Sequence, residues 1–295
     1  MNESTCCPDC DTPDRSSPDG LCRSFLPVDG RPTRCVGNWT EDKHYYLRRY
    51  CKIFNNGMKK KWNKRIYVDL FAGPGRCRIR PDGRFVDGSP MIAAGEEFTD
   101  MLFVDFSTDC VHALEHRLKP FADSRKKNIT ILPGDCNRLV PSIVNGIPDN
   151  GLGFAFIDPP GLEINFSTIQ ALCDNTRLDL LIIFPLGMNI KRQLHYQTSK
   201  MDLEETTFDR YFGTQEWRSL CDTDTDGVNR IGDRLLKFYM NRLESIGYSH
   251  VGDLRLIRNR GRLLYHLIFA SKHNRGRDFW NKIANREPDG QRSLF

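Results

Sequence analysis

Four aspartates close four apolar runs in this chain, and they are the residues whose type and place could do chemistry. Asp69 ends Ile66-Tyr67-Val68 and leads into Leu70-Phe71-Ala72-Gly73-Pro74-Gly75. Asp105 ends the run from Met101, Asp135 follows the run from Ile129 in Gly134-Asp135-Cys136, and Asp158 ends the run from Phe154 in Asp158-Pro159-Pro160-Gly161. A carboxylate just past the end of a buried strand can accept hydrogen bonds from a ligand's hydroxyls or amines. Glycines in the adjoining turn let the backbone approach where a Cβ would block it. Taken singly, each aspartate reads equally well as a turn or helix-cap residue, the glycine pair as a tight turn, and Pro-Pro-Gly as the exit from a strand. Four in register at strand ends point to a ligand site.

A second group is thiol-based. Of 11 cysteines, Cys6, Cys7, Cys10, Cys22 and Cys35 crowd the N-terminus. Cys7-Pro8-Asp9-Cys10 has the two-residue spacing of a zinc knuckle, and Cys22 and Cys35 would complete a tetrahedral set, with Cys6 an alternative to Cys7. The competing reading is a tail of free thiols. No signal peptide or long apolar run is present, so the expected location is the reducing cytoplasm, away from membranes, where clustered cysteines suggest metal before disulfide.

The elements that must position these residues alternate. Apolar runs at 66–71, 101–105, 129–132, 154–157 and 179–184 read as strands. Helical spacing marks 40–54 (Tyr46, Tyr50, Phe54, with a stop at Gly57), 111–121 and 229–246. The predicted fold is α/β, a doubly wound, mostly parallel sheet closed by an antiparallel hairpin over 253–270. Residues 1–38 are read as an irregular appendage and 39–295 as the main domain. A substrate-facing insertion is expected over 189–227, where Tyr196, Phe208, Tyr211, Phe212 and Trp217 punctuate a polar stretch. Residues 76–88 read as a polar insertion that lengthens the glycine loop, and Ser89-Pro90 as a helix start. A net charge of +5 over 295 residues permits contact with nucleic acid without arguing for it. The basic runs are Lys59 to Lys61 with Lys64 and Arg65, and Arg76, Arg78, Arg80 and Arg84; the second is better placed to meet phosphate.

Asp69-Leu-Phe-Ala-Gly73-Pro-Gly75 resembles the first motif of S-adenosylmethionine-dependent methyltransferases. Asp158-Pro159-Pro160 resembles the Asp/Asn-Pro-Pro-aromatic motif of enzymes that methylate base nitrogens, with Gly161 in place of the aromatic residue. The ordered set of Asn38-Trp39-Thr40 with Lys43, the glycine loop, Gly88-Ser89-Pro90, Phe156-Ile157-Asp158-Pro159, and Phe269-Ala270-Ser271-Lys272-His273 with Trp280 resembles the three-Cys-motif partner proteins. The resemblance spans 38–280 and implies a Rossmann-like methyltransferase domain and a partner similar to radical S-adenosylmethionine enzymes. From the residues themselves, Asp69, Phe71, Ala72, Gly73 and Gly75 are expected to hold the methionine end of S-adenosylmethionine, Asp105 the ribose, and Asp135 and Cys136 the adenine. Asp158 and the Pro159 carbonyl would meet an acceptor nitrogen of a nucleic acid or nucleotide-like molecule. The rival is a non-catalytic accessory with the same fold.

Overall fold

The computed structural model describes residues 20–23, 26–80, 82–186, 190, 193–194, 196, 205–221, 228–259 and 262–285. The chain divides into two compact units, Met1–Asp135 and Cys136–Phe295.

In the first unit, β1 (Leu21–Cys22) and β2 (Thr33–Val36) pair antiparallel, with Leu21 opposite Arg34. Helix α1 (Trp39–Met58) follows, and the stripe of Tyr46, Tyr50 and Phe54 is its buried face, joined by Leu47, Cys51 and Met58. It ends one residue beyond Gly57. Next come β3 (Lys64–Asp69), β4 (Arg76–Ile79), β5 (Phe85–Asp87), α2 (Ser89–Ala94, with Pro90 in its first turn), β6 (Asp100–Asp105), α3 (Thr108–Arg125) and β7 (Asn128–Pro133). β6 lies between β3 and β7, parallel to both. Every β6 residue is buried, as its continuous apolar run requires. Tyr67 packs between Phe98 and Phe103, and Phe98 stacks on Phe54 with centroids 5.8 Å apart. Each such ring removed from water contributes about 1.5–3 kcal/mol.

The second unit comprises α4 (Val140–Asn145), β8 (Gly151–Ile157), α5 (Phe166–Asn175), β9 (Leu178–Phe184), α6 (Thr207–Phe212), a 3₁₀ turn (Glu216–Leu220), α7 (Val228–Ser245), β10 (His250–Asn259), β11 (Arg262–Ser271) and α8 (Asn274–Ala284). β8 and β9 are parallel, β11 is antiparallel to both β9 and β10, and Phe269 stacks on Trp280 at 5.1 Å. The fold is α/β with mostly parallel pairing in its main strands and an antiparallel hairpin, as expected. No helix among the described residues is long and apolar enough to cross a membrane.

Three segments differ from the sequence reading. Within the segment read as irregular, Leu21–Cys22 and Thr33–Val36 are strands: β2 pairs in parallel with β4 (Arg34 with Cys77), and β4 pairs antiparallel with β5, giving a four-stranded sheet in the order β1-β2-β4-β5. The polar insertion after Gly75 is therefore a hairpin of that sheet. Of the insertion aromatics, Phe208, Tyr211, Phe212 and Trp217 are fully buried rather than offered to a substrate. They form one cluster with Phe184 and Tyr239, whereas Tyr196 is exposed. A capping box explains the local turn: Thr206 accepts from the Asp209 amide, and Asp209 accepts from the amide of Thr206 and from Trp217 Nε1 at 2.8 Å.

Candidate functional site

The first unit gathers its chemistry where β3 and β6 end. Parallel pairing sets Asp69 beside Phe103, and the ladder continues through the Ala72 amide to the Val104 carbonyl at 2.9 Å. The glycine loop thus begins level with the last residues of β6. Gly73 and Gly75 both lie in the left-handed region, at φ 62° and 83°.

Each peptide of the loop is held from a different direction. The Gly73 amide donates to Asp105 Oδ2 at 2.7 Å. The Pro74 carbonyl accepts from Arg117 Nη1 at 2.6 Å, and the Gly75 carbonyl from the Gly88 amide at 2.8 Å. A Cβ at Gly88 would stand 3.0 Å from that Gly75 oxygen, so the close approach favours glycine at position 88. The loop is rigid by construction, as a binding surface should be if little ordering entropy is to be lost when a ligand arrives.

Asp105 is the junction. Its Oδ1 accepts from the Ser107 amide at 2.9 Å, and its own carbonyl accepts from the Gly134 amide, drawing in the end of β7. A carboxylate offers about four lone-pair sites. Besides the two amides, the Cys110 thiol is a partner of this carboxylate, which leaves some acceptor capacity for a ligand hydroxyl. The next residue, Phe106, is 81% exposed beside this buried aspartate. An exposed aromatic ring next to a hydrogen-bond acceptor is chemically compatible with a nucleoside.

Asp69, the acid expected at the methionine end, has partners within the strand and turn. Its carboxylate is fully buried and accepts from Tyr67 Oη at 3.1 Å and the Phe71 amide at 3.2 Å. Burial first, and then the Asp69 charge, hold the Tyr67 phenol well above its usual range, so it stays a donor. Asp69 shapes the turn from inside. Phe71 is half-buried, Ala72 is buried and Asp135 is half-buried. Burial, and then the Asp105 charge, push the Cys110 thiol up to about 12, with Arg34 acting the other way.

In the second unit, Cys136 is buried, Asp158 is half-buried past β8, and Pro159 is buried while Pro160 is exposed. The segment after the prolines is fixed by Asn137, whose Oδ1 accepts from the Asn165 amide and Thr168 Oγ1 while its Nδ2 donates to the Glu163 carbonyl at 2.7 Å. Glu163 in turn accepts from the Gly161 amide at 2.6 Å.

The arginines expected at phosphate are engaged within the protein. Arg84 pairs with Glu41 and Asp82, Arg78 is buried with Nε on the Gly83 carbonyl, and Arg80 lies over the Trp39 ring. Lys59 pairs with Glu97. Of the thiol set, Cys7 and Cys10 lie outside the described residues. Cys22 and Cys35 are buried on β1 and β2, on one face, since Cys22 is opposite Thr33. Among the described residues no group of three or more ligating side chains could hold a metal ion.

Sequence reasoning missed Phe106, Arg117 and Arg34. An aromatic directly after the acid that ends a strand was a usable signal for the first.

No protein-family model and no curated protein matches the chain. Among solved structures it is similar to protein LPL1258 from Legionella pneumophila, at TM-score 0.49 and 12% identity over 87% of this chain and 95% of that one. It is similar to Trm1 from Pyrococcus horikoshii with S-adenosyl-L-methionine, at TM-score 0.41 and 11% identity over 81% of this chain and 58% of that one. A third is the O-methyltransferase from Bacillus cereus in complex with SAH, at TM-score 0.40 and 10% identity over 78% and 80%. Likeness at this level assigns no residue.

Proposed function

We propose that the protein binds S-adenosylmethionine at the glycine loop and transfers its methyl group to a nitrogen acceptor. The observation that supports the cofactor is the Asp105–Gly73 junction with the exposed Phe106 beside it, a nucleoside site at the end of a parallel strand. Its kind follows from what comes after the loop. Dinucleotide sites run from the glycines straight into a helix, whose N-terminus receives the pyrophosphate. Here Gly75 runs into β4, so a nucleoside without phosphates fits better. The cofactor seen with Trm1 and, as its demethylated product, with the Bacillus cereus enzyme is of that kind.

When bound, S-adenosylmethionine supplies a methyl group on a sulfonium, already a good leaving group. What remains for the chain is positioning. Asp105 would hold the ribose, Phe106 the adenine face, and the pinned backbone of Phe71 to Gly75 the amino-acid end. Asp158 and the Pro159 carbonyl would orient an acceptor amine, a reading that rests on their motif and on the ordered segment behind it. The ordered motifs of 38–280 support kinship with the three-Cys-motif partner proteins as part of the same proposal.

Calorimetry tests it. We expect one saturable site for S-adenosylhomocysteine and none for NAD. Absence of heat with both S-adenosylhomocysteine and S-adenosylmethionine would overturn the reading in favour of an accessory module. Asp158→Ala should keep cofactor affinity while losing methyl transfer.

A further inference from the structure

We propose that Arg34, from the strand before the core, binds the carboxylate at the amino-acid end of the cofactor. The inference rests on the reading above and names which end of that ligand the N-terminal segment recognises.

The placement comes from the small sheet. β4 begins at Arg76, directly after Gly75, and β2 runs parallel to it with Arg34 paired to Cys77. Sheet pairing therefore sets β2 beside the strand that leaves the glycine loop, and the Arg34 guanidinium reaches back to Gly73. Its Nε and Nη2 are 3.9 and 4.0 Å from where a Gly73 Cβ would stand. At its other side Nη1 is 2.9 Å from the Cβ position of Gly20, which has φ 73°, so two glycines flank the fork.

The strand that carries Arg34 is itself fixed to the loop. Arg117 on α3 has a side chain only 2% exposed and makes five hydrogen bonds. Two go to the Asp29 carboxylate at 2.7 and 3.0 Å, and three to the carbonyls of Arg31, Pro32 and Pro74. One guanidinium thus joins the segment leading into β2 to the middle peptide of the glycine loop. Arg34 is therefore held in a framed position beside the loop.

The result is a site with two poles. Asp105, bonded to the Gly73 amide, would take hydroxyls; Arg34, beside the Cβ position of Gly73, carries a planar donor fork of the shape that matches a carboxylate. A nucleoside bearing an amino acid satisfies both. The competing role for Arg34 is electrostatic support of Asp105 and the loop, which would serve any adenosine compound equally.

The test uses the full chain and two ligands, S-adenosylhomocysteine and its decarboxylated form, which keeps the adenosine, thioether and ammonium and lacks only the carboxylate. Charge-assisted hydrogen bonds predict that Arg34→Ala and Arg34→Gln weaken S-adenosylhomocysteine about 10- to 100-fold and leave the decarboxylated ligand nearly unchanged. Arg34→Lys, which keeps the charge without the fork, should fall between, and it provides the comparison should the neutral variants fail to fold. Equal weakening of both ligands, or undiminished affinity for S-adenosylhomocysteine, would overturn the role of Arg34 while leaving the cofactor intact. Binding of neither ligand by the wild type would remove the cofactor reading itself.

Discussion

The Gly73 amide and the Asp105 carboxylate, 32 residues apart, share a hydrogen bond of 2.7 Å. The acid that would hold a ribose also holds the loop that would hold the rest of the cofactor. Ligand affinity and loop geometry are therefore coupled at one side chain.

Asp105→Ala should remove both functions. The lost charged hydrogen bonds are worth about 1.5–3 kcal/mol each. We expect cofactor affinity to fall at least tenfold by calorimetry, together with a lower melting temperature. Asp105→Asn retains one acceptor oxygen and should be milder in melting temperature than in affinity. Wild-type affinity in Asp105→Ala would show that the ribose lies elsewhere.

Alanine at the two loop glycines should not be equivalent. Both positions have positive φ, which costs an L-residue about 1–2 kcal/mol. At Gly73 the new Cβ meets only Arg34 atoms at ordinary contact distance, whereas at Gly75 it meets Leu114 Cδ1 at 3.0 Å. Gly75→Ala should therefore lose more stability in a denaturant titration, and Gly73→Ala should lose cofactor affinity out of proportion to its stability. The opposite ranking would contradict the loop geometry.

Acid should loosen the N-terminal segment. The hydrogen bonds from Arg117 hold the Asp29 carboxyl below its usual value, against the opposing effect of burial. A carboxylate with a depressed folded pKa stabilises fully above its unfolded value, about pH 4, and loses that contribution as pH falls through the lowered one. Thermal melts should show wild-type stability falling more steeply below about pH 4 than that of Asp29→Asn, which has no such carboxylate to protonate. Parallel pH profiles would remove the pair from the account.

In the second unit, Asp209→Ala should be among the most damaging single changes. Burial raises the Asp209 carboxyl, but Arg218, the Thr206 amide and Trp217 outweigh it and leave it lowered. Removing it strands Trp217 Nε1 and the partly buried Arg218 guanidinium, a loss of about 3 kcal/mol or more. Equilibrium unfolding measures it, and a cost under about 1 kcal/mol would mean that water replaces the carboxylate.

The main strands were legible because β6, β8 and β9 are continuous apolar runs, and three helices because their stripes repeat over several turns. The small sheet was not. Strands of two to four residues contain too little alternation to register, and Arg34, Arg76 and Arg78 within it look like solvated charge. The acids at the strand ends could be found by position, since a carboxylate closing an apolar run is conspicuous. What each one faces could not: Asp69 and Asp105 look alike in sequence, yet one is enclosed by Tyr67 while the other stands next to an exposed ring. Arg117 was illegible for another reason. Three of its five bonds go to backbone carbonyls, which have no residue code. The aromatics of 208–217 were visible, but a polar neighbourhood hid that they are core.

The three pins on the glycine loop are residues 88, 105 and 117, and the strand beside it ends at Val36. All are translated before Cys136. A nascent chain released from the ribosomal tunnel up to the end of β7 already contains all three pins. These three contacts can therefore form co-translationally, before the second unit has left the tunnel.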